Sequence, residues 1–208
     1  MRDRECMQLG LVKIYLIRLS ARSLRTAHAS LSLAVARKLA AIQCVKRKRE
    51  FLACKGLQAD LQRKHPQHHV SLSHAHGWGI FALALKPLGV DAENQHEHIS
   101  EAMLQLIVAN AEEASWARPD GTFCAARALD LWLLKEALFK ATASLTATFD
   151  PAKCIVYAGN RWLIAAKIVT RRGLRIAVLS RPTRIASEIA WQTKLTQDSG
   201  TFVHRVLD

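Results

Sequence analysis

Several common signatures are missing from this chain. It has no C-x-x-C pair, no zinc-finger spacing, no aromatic RNA-binding signature and no apolar run of membrane-spanning length. Its five cysteines (Cys6, Cys44, Cys54, Cys124 and Cys154) are odd in number and show no paired spacing. That excludes a disulfide framework and suits small buried apolar residues in a reducing cytoplasm. The first twenty residues, MRDRECMQLGLVKIYLIRLS, have the charge-then-apolar order of a secretory signal. Lys13 and Arg18 interrupt the apolar segment and no small-residue cleavage site follows, so a first strand over Leu11–Leu19 is the expectation. Acids are scarce: 17 Asp and Glu stand against 30 Lys and Arg, a formal charge of +13. The bases gather at Lys46, Arg47, Lys48 and Arg49, then at Lys55, Arg63 and Lys64, and at Arg171 and Arg172. Such a balance suits a partner rich in phosphate or carboxylate.

At 208 residues and 50% hydrophobic content, the chain is not a disordered protein and is long enough for one large domain or two small lobes. Its most informative stretch is Leu129–Ser144, LDLWLLKEALFKATAS. On a helix, Leu131, Leu134, Leu138, Ala141 and Leu145 form an apolar stripe facing a core. Trp132, Glu136, Phe139, Lys140 and Ala143 lie opposite. Glu136 and Lys140, at i and i+4, could be a surface ion pair worth a few tenths of a kcal/mol. Trp132 and Phe139 beside these charges point instead to a half-buried face, as in the wall of a cleft.

Upstream, Gly89–Glu93 reads GVDAE. Asp91 and Glu93 could be the wet side of an edge strand. The same alternation aims both carboxylates one way, where they repel unless a cation or bases lie between them. With Glu136 they give three acids on two separated elements. Those suit a divalent cation bound through oxygen, and the flanking lysines suit a phosphate. Histidines at 65, 68, 69, 74, 76, 96 and 98 make zinc conceivable, but no strong zinc motif is present and a hard cation is preferred.

Patterning predicts helix over about residues 30–62, strands on either side of Ala75–Gly77, helix over His98–Ala117 and a turn-rich loop over Ala117–Thr122. Beyond the signature helix it predicts a meander over Cys154–Ala158, Arg161–Val169 and Leu174–Ser180, with a Gly159–Asn160 turn. Helix followed by strands occurs twice, which suggests two α+β lobes, 1–88 and 89–208.

SLSHAHG (Ser71–Gly77), GVDAE and WLLKEALFK (Trp132–Lys140) stand in the order and rough spacing of the 4'-phosphopantetheinyl transferases, and the chain resembles that family over about residues 37–145. REFLACKGL (Arg49–Leu57) also resembles the R-E-F-L-A-G-R segment of the group that modifies carrier proteins of fatty-acid, polyketide and peptide synthesis. The resemblance implies two tandem α+β lobes related by a pseudo-twofold, in a monomeric cytoplasmic enzyme. It implies Mg2+-dependent transfer of the phosphopantetheine arm of coenzyme A to a serine of an acidic apo acyl or peptidyl carrier protein, releasing 3',5'-ADP. By resemblance, Asp91, Glu93 and Glu136 match the metal-binding acids, and Glu136 the residue that assists deprotonation of the serine. Asp91 and Lys140 complete the catalytic set. Lys140, Ser73, His74 and Arg49 match contacts to coenzyme A.

The chain also departs from the family. No G-K-P segment precedes SLSH, where residues 61–70 read LQRKHPQHHV. Cys54 and Lys55 replace the usual Gly and Arg, and Ala143 stands where a Gly often follows the last lysine. Two alternatives stay open: a non-catalytic basic nucleic-acid-binding protein, and a degenerate member that binds coenzyme A or a carrier protein but turns over poorly. Neither nucleic acid nor membrane is the expected partner.

Overall fold

The structure, a computed structural model, describes residues 4–9, 12–19, 33–143, 148–150, 155–157 and 165–180. Leu145, the Gly159–Asn160 turn and the tail from Thr183 lie outside the described residues. The chain is mixed α+β with two sheets and divides into two compact units, Met1–Leu85 and Lys86–Asp208.

In the first unit the expected strand at Leu11–Leu19 is present as β2 (Val12–Arg18), preceded by β1 (Arg4–Leu9), which the sequence reading did not anticipate. The two pair antiparallel, Leu9 opposite Val12. The helical stretch is two helices, α1 (Leu33–Ala41) and α2 (Val45–Lys64). Two strands follow, β3 (His69–Ala75) and β4 (Trp78–Ala84). His76 and Gly77 join them with positive φ at both residues (48° and 74°), as a two-residue type I' hairpin requires. The sheet order is β1-β2-β4-β3, antiparallel throughout. Tyr15, Ile17, Phe81 and Leu83 pack with Cys54, Leu57 and Leu61 of α2. Of the cysteines expected to be buried, Cys54 is a core residue, where burial pushes its thiol up to about 12, whereas Cys6 and Cys44 are exposed.

The second unit opens with β5 (Leu88–Asn94). The single helix expected over His98–Ala117 is two short ones, α3 (Glu101–Ile107) and α4 (Ala111–Ala117). Ser100 and Asn110 cap them by accepting hydrogen bonds from the amides of Met103 and Glu113. Chain then passes through one 3-10 turn at Pro119–Gly121 into the signature helix α5 (Ala125–Thr142). Four strands follow: β6 (Thr148–Asp150), β7 (Ile155–Tyr157), β8 (Ala165–Arg171) and β9 (Leu174–Ser180). The sheet order is β5-β9-β8-β7-β6, so the first strand of the unit pairs with its last described one. Helix α5 lies on β5 and β9, and α3 and α4 pack against it. Its buried residues, Ala128–Leu131, Leu133, Leu134, Ala137 and Leu138, reach nearly all round the helix. The stripe read from the sequence is therefore only part of its core face.

Among the described residues, no helix is long and apolar enough to cross a membrane.

Candidate active site

Strand β5 carries Gly89, Asp91 and Glu93 on one side because side chains alternate along a strand. That side faces α5. A Cβ added to Gly89 would sit 1.7 Å from the carbonyl oxygen of Ala137 and 3.0 Å from the amide nitrogen of Ala141. Only glycine lets the helix backbone come this close to the strand. Two residues on, Asp91 is 6% exposed. The wet edge-strand reading of GVDAE therefore does not hold. Although β5 is an edge strand among the described residues, this face is covered by the signature helix.

Lys140 Nζ donates to Asp91 Oδ1 at 2.6 Å and to the carbonyl oxygen of Val90 at 3.2 Å. Glu136, one helical turn earlier, is half-buried. Its carboxyl is pushed above the ordinary glutamate range by burial and then by the negative charge of Asp91, and Lys140 offsets part of this. The structure thus brings Asp91, Glu136 and Lys140 together. Lys140 pairs directly with Asp91 and acts on Glu136 through its charge, and added positive charge would favour the ionised form of Glu136. Glu93 is half-buried on the same side of β5. Among the described residues, no group of three His, Cys, Asp or Glu side chains is arranged to hold a metal ion. Asp91 and Glu136 supply the hard oxygen donors that suit Mg2+, and the three acids do not close into a ligand set in this structure.

Helix α5 is tied down by three ion pairs at residues 130, 135 and 140. Asp130 accepts both Nε and Nη2 of Arg175 on β9, with Nη2 at 2.6 Å. Lys135 Nζ lies 2.7 Å from Glu113 Oε2 on α4, where the carboxylate is fully buried and also accepts the amide of Ala109. Lys140 pairs with Asp91 on β5. A step of five residues turns a helix by about 140°, so the three charges leave it in three directions and fix its rotation. Burial raises the Asp130 carboxyl, the Arg175 hydrogen bonds and charge lower it, and the balance is a raised value.

Lys135 therefore differs from expectation: the sequence suggested a phosphate for both flanking lysines, and this one is spent on Glu113. Sequence reasoning also missed Glu113, Asp130 and Arg175. The five-residue rhythm of charge in α5 and the N-x-x-E pattern from Asn110 to Glu113 were the available signals.

The remaining candidates belong to the first unit. Ser73 is buried and His74 half-buried on successive positions of β3, so they face opposite sides of that strand. Arg49 is exposed near the start of α2, beside exposed Lys46 and Arg47. The first turn of that helix holds no acid to balance these bases.

Residues 87–193, more than half of the chain, match a family model described as ACPS, the 4'-phosphopantetheinyl transferase superfamily. No curated protein matches the chain.

Proposed function

The chain belongs to the 4'-phosphopantetheinyl transferase superfamily, and on that premise we propose that it moves the phosphopantetheine arm of coenzyme A onto a serine of an acidic apo acyl or peptidyl carrier protein. The observation that carries this reading is the meeting of Asp91, Glu136 and Lys140 between β5 and α5. Phosphoryl transfer asks mainly for charge neutralisation and in-line positioning, and little covalent chemistry from the protein.

Glu136 is the base. A carboxylate raised toward neutrality takes a hydroxyl proton more readily than an ordinary one, directly or through a water. The serine oxygen attacks the phosphorus that bears the pantetheine arm. A new P–O bond forms to serine, the pyrophosphate P–O bond breaks, and 3',5'-ADP leaves with the electron pair. Lys140 supplies positive charge to the phosphates. Asp91, Glu136 and Glu93 would hold Mg2+, and when bound the ion supplies further neutralisation of the pyrophosphate. Arg49, Ser73 and His74 are assigned to coenzyme A on the resemblance, and the exposed bases of α2 suit its phosphates and an acidic partner.

The test is to incubate the chain with coenzyme A, Mg2+ and a panel of apo carrier proteins, and read intact mass. The expected result is a gain of one phosphopantetheine on at least one carrier, abolished by chelator. Tight, steeply salt-dependent binding of DNA or RNA with no carrier modified would contradict it and favour the nucleic-acid reading.

A further inference from the structure

Strand pairing puts Glu93 of β5 directly opposite Arg175 of β9. Residues paired in this way share a face of the sheet, with Cβ atoms about 5 Å apart. On that same face the Arg175 guanidinium forks onto Asp130 of α5. The pair is nearly closed to solvent, with side chains 12% and 1% exposed. One guanidinium therefore stands beside an acid of the candidate site and also grips the signature helix.

The spacing shows what this grip controls. Asp130 and Ala137 are seven residues apart, so both face the sheet, about 10 Å from each other along the helix. Gly89 and Glu93 are about 13 Å apart along β5. The helix is thus held over the strand at two points: backbone contact at Gly89 with Ala137, and the Arg175–Asp130 fork beside Glu93. Asp91 lies between them. Glu136 and Lys140 leave the helix on one side between and beyond these points, where Lys140 reaches Asp91. Loosening the fork removes one of the three ties on α5, at the end the other two do not reach, and a small tilt or roll there would shift Glu136 against Asp91.

We propose that Arg175 is a positioning residue for this site: by holding Asp130 and standing opposite Glu93, it anchors the first half of α5 on the sheet and keeps Glu136 turned toward Asp91. The proposal rests on the transferase reading, which makes those acids the cation ligands. Arg175 touches no reacting atom. Neither Arg175 nor Asp130 lies in the motifs that carry the family resemblance.

The experiment is Mn2+ binding to the full chain, followed by electron paramagnetic resonance in the presence of coenzyme A, with thermal melts alongside. Arg175→Lys keeps the charge and loses the fork. It should bind Mn2+ at least tenfold more weakly at a temperature where the melt shows it folded. Asp130→Asn keeps the shape of the buried acid and leaves Arg175 beside Glu93, so it serves if Arg175→Lys does not fold. It should lose affinity severalfold. A role confined to stability would lower the melting temperature and leave Mn2+ affinity within twofold of wild type in the folded variants, which overturns the proposal. Wild-type protein that binds no Mn2+ with coenzyme A present overturns the transferase reading itself, and the positioning role with it.

Discussion

The two units handle charge in opposite ways. Among the described residues of the first, the helix–sheet core is apolar, and the bases of α2 stand in solvent or pair on the surface, as Arg63 does with Asp60. In the second, charges enter the interior: Glu113 is fully buried, Asp130 and Asp91 nearly so, and each has a cation from another element or helix. Burying such groups costs several kcal/mol per ion unless geometry and hydrogen bonds repay it. In this unit three buried carboxylates, each paired with a cation, surround one helix. Under the proposed function, the exposed bases suit recognition of phosphates and acidic surfaces, and the chemistry sits on a helix held by its three ion pairs.

The largest effect should come from the site itself. Asp91→Ala removes an oxygen donor and leaves Glu136 and Lys140 as the only charges of the triad. Transfer should fall by about a thousandfold, the scale of losing a preorganised charge contact in a closed site, with the circular dichroism spectrum unchanged. Full activity of this variant would erase the distinction between the units.

Next is the buried pair on the far side of α5. Glu113→Ala strands the Lys135 ammonium and should destabilise the second unit by about 3–5 kcal/mol, measured by urea unfolding. Removing an exposed base of the first unit, as in Arg47→Ala, should shift stability by less than about 0.5 kcal/mol. Equal losses would break the comparison.

Binding sharpens it further. Lys140→Ala should weaken coenzyme A by about ten- to a hundredfold in calorimetry, since charge-assisted contacts are worth about 1.5–3 kcal/mol. Affinity for the carrier protein should fall as salt rises, because exposed charges are screened over about 10 Å at 0.1 M. Coenzyme A affinity should fall less.

The smallest effect concerns Ala143, which ends α5 in the left-handed region at φ 56° and ψ 20°. That conformation favours glycine, so Ala143→Gly should stabilise by up to about 1 kcal/mol in thermal unfolding.

Much of this was legible in the sequence. Alternation in GVDAE put Asp91 and Glu93 on one side, and the i,i+4 spacing put Glu136 beside Lys140; both hold in the structure. Turn residues marked the break at Ala75–Gly77, which the structure closes as a hairpin at His76–Gly77. What escaped was long-range. Nothing local says that β5 pairs with β9 some eighty residues later, so Arg175 opposite Glu93 could not be read. The closeness of α5 to β5 was likewise hidden, because Gly89 looks like any strand glycine until a helix backbone is laid against it. Burial of Glu113 depends on how α4 docks, which a seven-residue helix does not announce. The break between α3 and α4 was missed because their helical patterns run together across Val108–Asn110.

The central claim is that Glu136, raised by burial and by Asp91, takes the proton in a transfer carried out between β5 and α5. The most direct test is the pH dependence of single-turnover transfer to an apo carrier protein, followed by intact mass, for wild type and Glu136→Gln. Burial and Asp91 raise Glu136 in the free protein, and a cation held beside it would draw it back toward the ionised form, ready to act as a base. The wild-type rate should climb with pH along an acidic limb, and Glu136→Gln, which keeps the shape and loses the base, should lose both the rate and that limb. A variant that transfers at the wild-type rate with the same pH limb would contradict the account.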